Sequence, residues 1–307
     1  PMKTALVIPS LGAPHLSRCL EAAAALDPAP DSRLVVLSGN ATPPPEAENV
    51  DVHHCRHRLG FAAAVNTGLS ELPAETEAIA ILNDDALPCP GWLGVLTAEL
   101  AADPGLAAVQ GTSVDDSESM IDGRGIAFDP WGLPVQIDHG TNFTEDAGAK
   151  TITAVSGTAS LYRMEALREA AMPGLEVFDE NFDCYHEDLD LGLRLTRRGW
   201  RSSWLGGAPV RHLGSATGPD FRWRHPWWVL ANRWRALSGN LSRGTLVANM
   251  PRLWRGEIRS TRTLFRKNRR ALPTALGVAL MLPILIAYGW RRQTPGPRLD
   301  SIPGDVG

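Results

Sequence analysis

Short apolar runs alternate with amphipathic stretches along the first 110 residues of the chain. The runs end at Pro, Ser, Gly, Asn or Asp, which is typical of buried strands followed by turns. The predicted strands are residues 3–9, 33–38, 78–82 and 106–110, and the predicted helices are residues 15–26, 60–72 and 90–102. This alternation predicts a parallel, doubly wound α/β sheet, in which ligands bind beyond the carboxyl ends of the strands. We therefore expect Ser10, Ser38 and Asp85 to share one crevice.

The middle of the chain is less periodic. Residues 113–150 are polar and Gly-rich, and we expect loops there, with a small hairpin around residues 126–137. The elements predicted further along are a β-rich stretch at 151–162 with Gly157 inside it, a helix at 188–198 and two short strands at 200–212. Asp190, Arg197 and Arg198 are interpreted as charges that suit the dipole of the 188–198 helix.

Charge divides the chain near residue 210. Residues 1–210 hold 13 Lys/Arg against 30 Asp/Glu, a net charge of −17, whereas residues 211–307 hold 17 against 4, a net charge of +13. An acidic body with a basic tail implies that the tail meets an anionic partner, either a membrane surface or a nucleic acid. The acidic body would repel a polyanion, so we expect no nucleic-acid partner.

Residues 272–289 form an apolar run of 18 residues that contains Pro273 and Pro283 and has arginine pairs on both sides. This length barely spans a bilayer, and arginines at both ends give no orientation bias. Upstream, residues 252–267 carry Arg and Lys at three- or four-residue spacing, which is typical of one basic helix face. We favour attachment to an anionic membrane surface; a true span and a helix packed on a soluble domain stay open.

Four scattered cysteines without a CxxC pair argue against a zinc site or a disulfide framework and fit a reducing cytoplasm. The first residues, PMKTALVIPS, lack the charged start of a signal peptide, and their apolar run has strand length. The expected location is cytoplasmic, peripherally associated with the inner face of the cell membrane.

Two acidic clusters carry the candidate chemistry. Asn83, Asp84 and Asp85 follow a predicted strand, and Glu187 and Asp188 open a predicted helix. A divalent cation that bridges a diphosphate needs only one or two protein carboxylates, and a hydroxyl nucleophile needs a nearby base. Plainer interpretations are a solvated turn or helix N-cap for the first cluster and a helix-dipole preference for the second.

His212 can complete a metal site, although a histidine on a strand is more often structural. The segment RLGFAAAVNTGL, with Gly60, Phe61 and Asn66, permits either close approach of a nucleotide to a helix N-terminus or ordinary helix packing. The chain has neither GxGxxG nor GxxxxGK[ST], so a dinucleotide oxidoreductase or a P-loop enzyme is poorly supported.

Six segments, in order, resemble bacterial inverting glycosyltransferases of family 2, of the rhamnosyltransferase-like kind, over roughly residues 3–215. They are ALVIPSLG, RLGFAAAVNTGL, ILNDDALPCPGWL, VSGTASLYRMEAL, YHEDLDLGLRLTRRGWR and VRHLGS. The resemblance implies a GT-A fold, a Rossmann-like mixed α/β sheet flanked by helices, in residues 1–220. Its nucleotide-binding half would be about 1–112 and its acceptor half about 113–220. A basic, Trp-rich helical extension would follow at 221–307.

The resemblance also implies roles for individual residues. Asp85 would hold a divalent metal, Mg²⁺ or Mn²⁺, and His212 would complete that site. Asp188 would be the base that takes a proton from the acceptor hydroxyl, with Glu187 in support, and Gly157 would lie on the acceptor side. The residues that would line the nucleotide are Pro9, Ser10, Ser38, Gly60, Phe61, Asn66, Asn83 and Asp84.

Three positions depart from the family pattern: Asn83 where many members have Asp, Ser38 where an Asp is usual, and Gly12 where Asn is common. The departure at Ser38 leaves the nucleotide base open between uridine and thymidine. The expected function is inverting transfer of a sugar from dTDP-rhamnose or a UDP-sugar to a hydroxyl of a surface or lipid-linked glycan. One alternative is a non-catalytic GT-A-like module that binds glycan or a partner at the membrane. A nucleotidyltransferase is weaker, because PSLGAPH has no basic residue before His15.

Overall fold

The computed structural model describes residues 2–12, 14–174, 176–214, 218–292, 294 and 296–304, with the backbone alone at 218–223 and 267. The elements up to residue 110 are β1 (Thr4–Ser10), α1 (Leu16–Ala24), β2 (Ser32–Ser38), β3 (Asp51–Cys55), α2 (Phe61–Ser70), β4 (Ala78–Leu82), β5 (Ala86–Pro88), α3 (Trp92–Ala102) and β6 (Leu106–Gln110). Those up to residue 163 are β7 (Ser113–Val114), β8 (Ile121–Gly123), β9 (Ile126–Phe128), β10 (Pro134–Gln136), β11 (Ala149–Ile152) and β12 (Ala159–Arg163). The rest are α4 (Met164–Ala170), α5 (Glu187–Arg197), β13 (Arg201–Leu205), β14 (Val210–His212), α6 (Gly218–Asn240), α7 (Arg243–Lys267) and α8 (Ala271–Arg291).

The main sheet has eight strands in the order β11-β13-β6-β12-β4-β1-β2-β3. Strands β4, β1, β2 and β3 are parallel, as the alternation of apolar runs and helices predicted. Strand β12 runs antiparallel between β4 and β6, so the sheet is mixed, as the family resemblance implied. Every residue of β1 and β4 is buried, which is typical of central strands covered on both faces. Pro9 is tolerated in β1 because β4 pairs with this strand only from Thr4 to Val7.

Most predicted elements match the observed ones to within a few residues. Strand β3 was missed because DVHHC is a polar edge strand whose residues are partly or fully exposed. The β-rich stretch predicted at 151–162 contains the end of β11 and most of β12, and Gly157 lies in the loop between these two strands. A Cβ at this position would collide with the ring of Phe61, so the glycine permits close packing of that loop on α2. The hairpin predicted at 126–137 is confirmed as the β9-β10 pair.

A second, four-stranded sheet has the order β5-β14-β7-β8. In the antiparallel β5-β14 pair, His212 stands opposite Ala86, the residue that follows Asp85. Strand β8 carries Asp122 two strands away from β14. This small sheet therefore gathers residues from three distant parts of the chain at the end of β4.

The last three helices pack on the body of the protein. Helix α8 contacts α6 along one face, where Val278, Leu282 and Leu285 meet Trp234 and Leu237 in an apolar cluster. The predicted boundary at residue 220 falls within α6, which also packs on α5. Among the described residues, one helix, Ala271–Arg291, is long and apolar enough to cross a membrane, with mean hydropathy 2.0 and 28% of its apolar window buried.

Candidate active site

Asp84 lies at the carboxyl end of β4, beside the end of β1. Its Oδ2 accepts a 2.6 Å hydrogen bond from Ser10 Oγ, and Ser10 Oγ in turn accepts from the N–H of Gly12. Asn83 is held through its backbone N–H, which donates to the carbonyl of Thr158 at 2.8 Å. The ends of two adjacent strands thus present one carboxylate and one hydroxyl to the same edge of the sheet.

Asp85 and His212 meet directly. Asp85 Oδ1 lies 3.3 Å from His212 Nε2, and the N–H of Leu213 donates to the Asp85 carbonyl at 2.9 Å. On the other side of the ring, His212 Nδ1 lies 2.9 Å from Asp122 Oδ2. Burial opposes protonation of His212, but the hydrogen bonds and charges of Asp122 and Asp85 outweigh it and raise the pKa of the imidazole to about 10. The ring therefore lies between two carboxylates, with one beside each of its nitrogens.

This donor set fits a hard divalent cation. Neighbouring ligand atoms of an octahedral ion with bonds of about 2.1 Å lie about 3 Å apart, close to the separation of Asp85 Oδ1 and His212 Nε2. Asp122 holds Nδ1 in its protonated form, which leaves Nε2 free to act as a metal ligand once its own proton is lost. In the described part of the chain, no three His, Cys, Asp or Glu side chains form a complete cluster, so the remaining ligands would come from phosphate and water.

Asp188 lies at the first turn of α5, facing the loop that carries Gly157. Its Oδ2 accepts from the N–H of Gly157 at 3.1 Å and its Oδ1 from the N–H of Leu189 at 2.7 Å. The adjacent Glu187 is 6% exposed, and its Oε2 has no hydrogen-bond partner among the residues that the structure describes. The two carboxylates therefore have different surroundings, although they are adjacent in the chain.

Burial raises the pKa of both carboxyl groups, and the charge of Asp188 raises that of Glu187 further. The two N–H donors oppose the shift at Asp188, because they stabilise its ionised form. Glu187 has a single backbone contribution of this kind. The pair thus favours a protonated Glu187 beside an ionised Asp188, which is the arrangement that a base needs.

The remaining predicted nucleotide residues surround the end of β2 and the start of α2. Ser38 is buried, and its Oγ accepts from the N–H of Leu59 at 3.2 Å. A Cβ at Gly60 would collide with Asp183, and the ring of Phe61 packs edge-on against Phe178 with centroids 6.0 Å apart.

The side-chain amide of Asn66 forms hydrogen bonds with both the carbonyl and the N–H of Phe178. Its Nδ2 donates to the Phe178 carbonyl at 2.8 Å, and its Oδ1 accepts from the Phe178 N–H at 2.9 Å. The side chain therefore fastens the segment before α5 to helix α2. A direct contact between Asn66 and a nucleotide stays a prediction.

Asp190 lies in the first turn of α5, as predicted, but its main partners are buried arginines. It is fully buried, and Arg292 donates to both of its oxygens at 2.8 and 2.7 Å, while Arg194 Nε lies 3.0 Å from Oδ2. Although burial opposes ionisation, these guanidinium groups hold the pKa of Asp190 well below its ordinary value. Arg197 likewise reaches the C-terminal segment, donating to the Pro297 carbonyl at 2.7 Å. Both residues fasten α5 to the end of the chain.

Asp122 was missed by the sequence reasoning, because it lies in a polar stretch without clear periodicity. A carboxylate inside the short run IDG was the only available signal, and its partner His212 is 90 residues away. Gly214 follows His212 with φ of +65°, a conformation that suits glycine. Ser215, which ends the VRHLGS segment, lies outside the described residues.

The family profile of glycosyltransferase like family 2 matches residues 1–236. The chain therefore belongs to this family, and its mixed sheet with flanking helices is the GT-A fold. No curated protein matches the sequence.

Two solved glycosyltransferase structures share the fold. The crystal structure of GalNAc-T7 with UDP, GalNAc and Mn²⁺ aligns with a TM-score of 0.59 and 13% identity over 79% of this chain and 48% of that chain. The mannosyltransferase PcManGT from Pyrobaculum calidifontis, in complex with GDP-Man and Mn²⁺, aligns with a TM-score of 0.57 and 17% identity over 94% of this chain and 79% of that chain. This chain thus spans about half the length of GalNAc-T7, and at these identities the likeness shows the fold alone.

Proposed function

We propose that the protein transfers a sugar, with inversion at the anomeric carbon, from a nucleotide-diphosphate donor to a hydroxyl of a glycan or lipid-linked acceptor. The observation that carries the proposal is the 3.3 Å pairing of Asp85 with His212 beside Asp84, in a chain of glycosyltransferase like family 2. Both structural neighbours contain a nucleotide and Mn²⁺, which supports the same classes of ligand here. The sequence favours dTDP-rhamnose or a UDP-sugar as donor.

The donor would lie across the carboxyl ends of β1, β2 and β4. Asp84 and Ser10, joined at 2.6 Å, would border its diphosphate and ribose together with Asn83. Asp85 and His212 would hold Mg²⁺ or Mn²⁺. The bound cation would neutralise the charge that develops on the leaving diphosphate oxygen. The residues proposed to border the nucleoside are Pro9, Ser38, Gly60, Phe61 and Asn66.

Asp188 would act as the base on the acceptor side, next to Gly157. The acceptor O–H gives its proton to the Asp188 carboxylate while its oxygen forms a bond to the anomeric carbon. The bond from that carbon to the phosphate oxygen breaks, and the nucleoside diphosphate leaves with the electron pair. A single displacement of this kind inverts the anomeric centre. Glu187, buried beside the base, would support it in the protonated state.

The C-terminal helices would attach the protein to the anionic inner face of the cell membrane. Leu272, Leu276, Leu280 and Ile284 are 51–83% exposed and recur every four residues, so they form one outer face of α8. Helix α7 exposes a set of basic side chains, namely Arg255, Arg259, Arg262 and Arg266. This combination of apolar and cationic surface is typical of interfacial helices.

The packing of α8 favours an interfacial position over a membrane span. Its opposite face is buried on α6, and Arg292, directly after the helix, is 6% exposed and paired inside the body. Arg292 is therefore held inside the body rather than at a membrane surface.

A donor screen tests the catalytic proposal. The full chain is incubated with UDP-glucose, dTDP-rhamnose or GDP-mannose, Mn²⁺ and a lipid-diphosphate-linked acceptor, and the products are analysed by mass spectrometry. The expected result is addition of one sugar with one donor, in the inverted configuration by NMR. If UDP, dTDP and GDP all fail to bind with Mn²⁺, the non-catalytic module is the better description.

Vesicle flotation tests the membrane proposal. Replacing Leu276, Leu280 and Ile284 with Gln should release the protein from vesicles that contain phosphatidylglycerol. The matched control replaces the exposed Val95 and Val135 of the body with Gln and should float like wild type. Undiminished flotation of the α8 variant would contradict the proposal.

A further inference from the structure

The turn that precedes Glu187 and Asp188 has an uncommon backbone. Asp183, Tyr185 and His186 have φ of 60°, 68° and 68°. Residues with a Cβ disfavour this region, so such a turn persists only where neighbouring groups hold it. Because Asp188 follows His186 by two residues, the turn decides where its carboxylate lies.

Helix α6 supplies contacts that hold this turn. Asn232 is fully buried in the middle of α6. Its Nδ2 donates to three carbonyls of the turn, those of Phe182 at 2.7 Å, Cys184 at 2.9 Å and Tyr185 at 3.0 Å. An amide group has two N–H bonds, so one of them is shared between two carbonyls. A single side chain thus bonds to three carbonyls of the turn.

Two further contacts fix this arrangement. Arg235 Nη1 donates to Asn232 Oδ1 at 2.9 Å and to the Asn181 carbonyl at 2.9 Å, which turns the NH₂ group of Asn232 toward the turn. His186 Nε2 lies 3.1 Å from the Val229 carbonyl. A carbonyl only accepts, so Nε2 carries the hydrogen.

Helix α2 contacts the turn on another side. The N–H of Phe61 donates to the Asp183 carbonyl at 3.0 Å, and Gly60 leaves no room for a Cβ beside Asp183. The turn is therefore bonded both to the start of α2, beside the proposed donor site, and to α6 of the C-terminal extension.

We propose that Asn232 is a positioning residue for Asp188, and that α6 is thereby part of the active site. Asn232 holds the turn at 182–186 so that the Asp188 carboxylate meets the Gly157 N–H and faces the acceptor hydroxyl. This inference rests on the proposed transferase function. It assigns a catalytic contribution to a helix that the six family segments of the sequence do not include.

The test uses three variants of the full chain. Asn232→Ala removes the donor to the turn. Arg235→Met is a milder variant that removes the group that orients Asn232 and that bonds the Asn181 carbonyl. Asn249→Ala is the control, because Asn249 donates to the Thr245 carbonyl within α7. Each is assayed for nucleotide release from UDP-glucose, dTDP-rhamnose and GDP-mannose with Mn²⁺ and the lipid-diphosphate-linked acceptor. Hydrogen exchange of residues 181–190 is measured in parallel.

Asn232→Ala should lower kcat about 10- to 100-fold, leave KM for the donor within about two-fold, and raise exchange at 181–190 but not in β1 or β4. Arg235→Met should show the same changes with smaller magnitude, and it tests the proposal on its own if Asn232→Ala does not fold. Asn249→Ala should match wild type.

Unchanged kcat and unchanged exchange at 181–190 in the Asn232 or Arg235 variant would overturn the proposal. A rise in KM with constant kcat would do so as well, because it would place Asn232 in donor binding. If the wild-type protein releases no nucleotide from any donor, the transferase function fails, and the exchange measurement alone decides whether α6 holds the turn.

Discussion

Arg292 holds both carboxylate oxygens of Asp190, 102 residues earlier in the chain, with Nη1–Oδ1 at 2.8 Å and Nη2–Oδ2 at 2.7 Å. The side chains of Arg292 and Asp190 are 6% and 0% exposed. Arg292 Nε also lies 3.0 Å from Asp179, and Arg194 bonds to Asp190 from within α5. The end of α8 is therefore joined to the helix that carries Asp188 by a buried network of four charged residues.

Breaking this network should destabilise the whole protein. Arg292→Met should lower the free energy of unfolding by about 3 kcal/mol, because it leaves buried carboxylates short of a charged partner. Arg292→Lys should cost less, since it keeps the charge but loses the two-pronged geometry. Urea unfolding measures both. The control is Arg201→Met, which breaks an exposed pair with Asp103 and should cost less than about 1 kcal/mol. Equal costs for the two Met variants would contradict the argument.

Asp188→Asn should lower kcat for transfer by about 10² to 10⁴-fold, because an amide cannot accept the acceptor proton. The affinity for donor nucleotide should stay within about two-fold, since Asp188 contacts Gly157 and Leu189 rather than the residues at the ends of β1 and β4. Initial rates and isothermal titration with the nucleotide separate the two effects. Asp51→Asn, which changes an exposed acid of the edge strand β3, is the control. A fully active Asp188→Asn would remove Asp188 from the role of base.

The pH dependence of kcat should report Asp188. Burial raises the pKa of this carboxyl group despite two N–H donors, and its protonated form cannot act as a base. Activity should therefore fall as the pH is lowered, with a midpoint above the ordinary aspartate value of about 3.9. Glu187→Gln should keep the midpoint, because burial holds Glu187 protonated and glutamine resembles that form. A midpoint that moves by a full pH unit in Glu187→Gln would assign the titration to Glu187 instead.

Asp122→Asn should weaken Mn²⁺ binding in the presence of UDP by about 10- to 100-fold, because it removes the charge that orients the His212 ring and raises its basicity. Titration calorimetry of Mn²⁺ gives the affinity without any turnover. Asp116→Asn provides the matched control, since Asp116 is an exposed acid in the same region and pairs only loosely with Arg18 and Arg211. If both variants bind Mn²⁺ like wild type, Asp122 has no part in the metal site.

His186 should make the folded state sensitive to acid. Burial lowers its pKa to about 3 in the folded protein, whereas an unfolded histidine titrates near 6.5. Between these two pH values the unfolded state binds more protons than the folded state. The contribution of His186 to stability is therefore complete above about pH 6.5 and declines toward pH 3, by at most about 1.4 kcal/mol per pH unit. The melting temperature of His186→Gln should fall less steeply than that of wild type as the pH is lowered over this range. Exposed His57→Gln should keep the wild-type slope.

The main elements could be read from the sequence because their signals are local. The apolar runs of β1, β2, β4 and β6 end in polar residues, and α5 begins with acids and ends with basic residues before Gly199. The proximity of Asp85 and His212, whose side chains lie 3.3 Å apart, was implied by the family resemblance. Strand β3 was not predictable, because an edge strand need not be apolar and DVHHC carries no periodicity.

The sequence by itself determined the alternating strands and helices, the polar residues at the strand ends and the uneven charge of body and tail, because each depends on neighbouring residues in the chain. Only the tertiary structure decided that Asp122 supports His212, that Asn232 holds the turn before Asp188, and that Arg292 and Asp190 form a buried pair. These contacts join residues 48 to 102 positions apart. They depend on sheet order and helix packing, which no local pattern encodes.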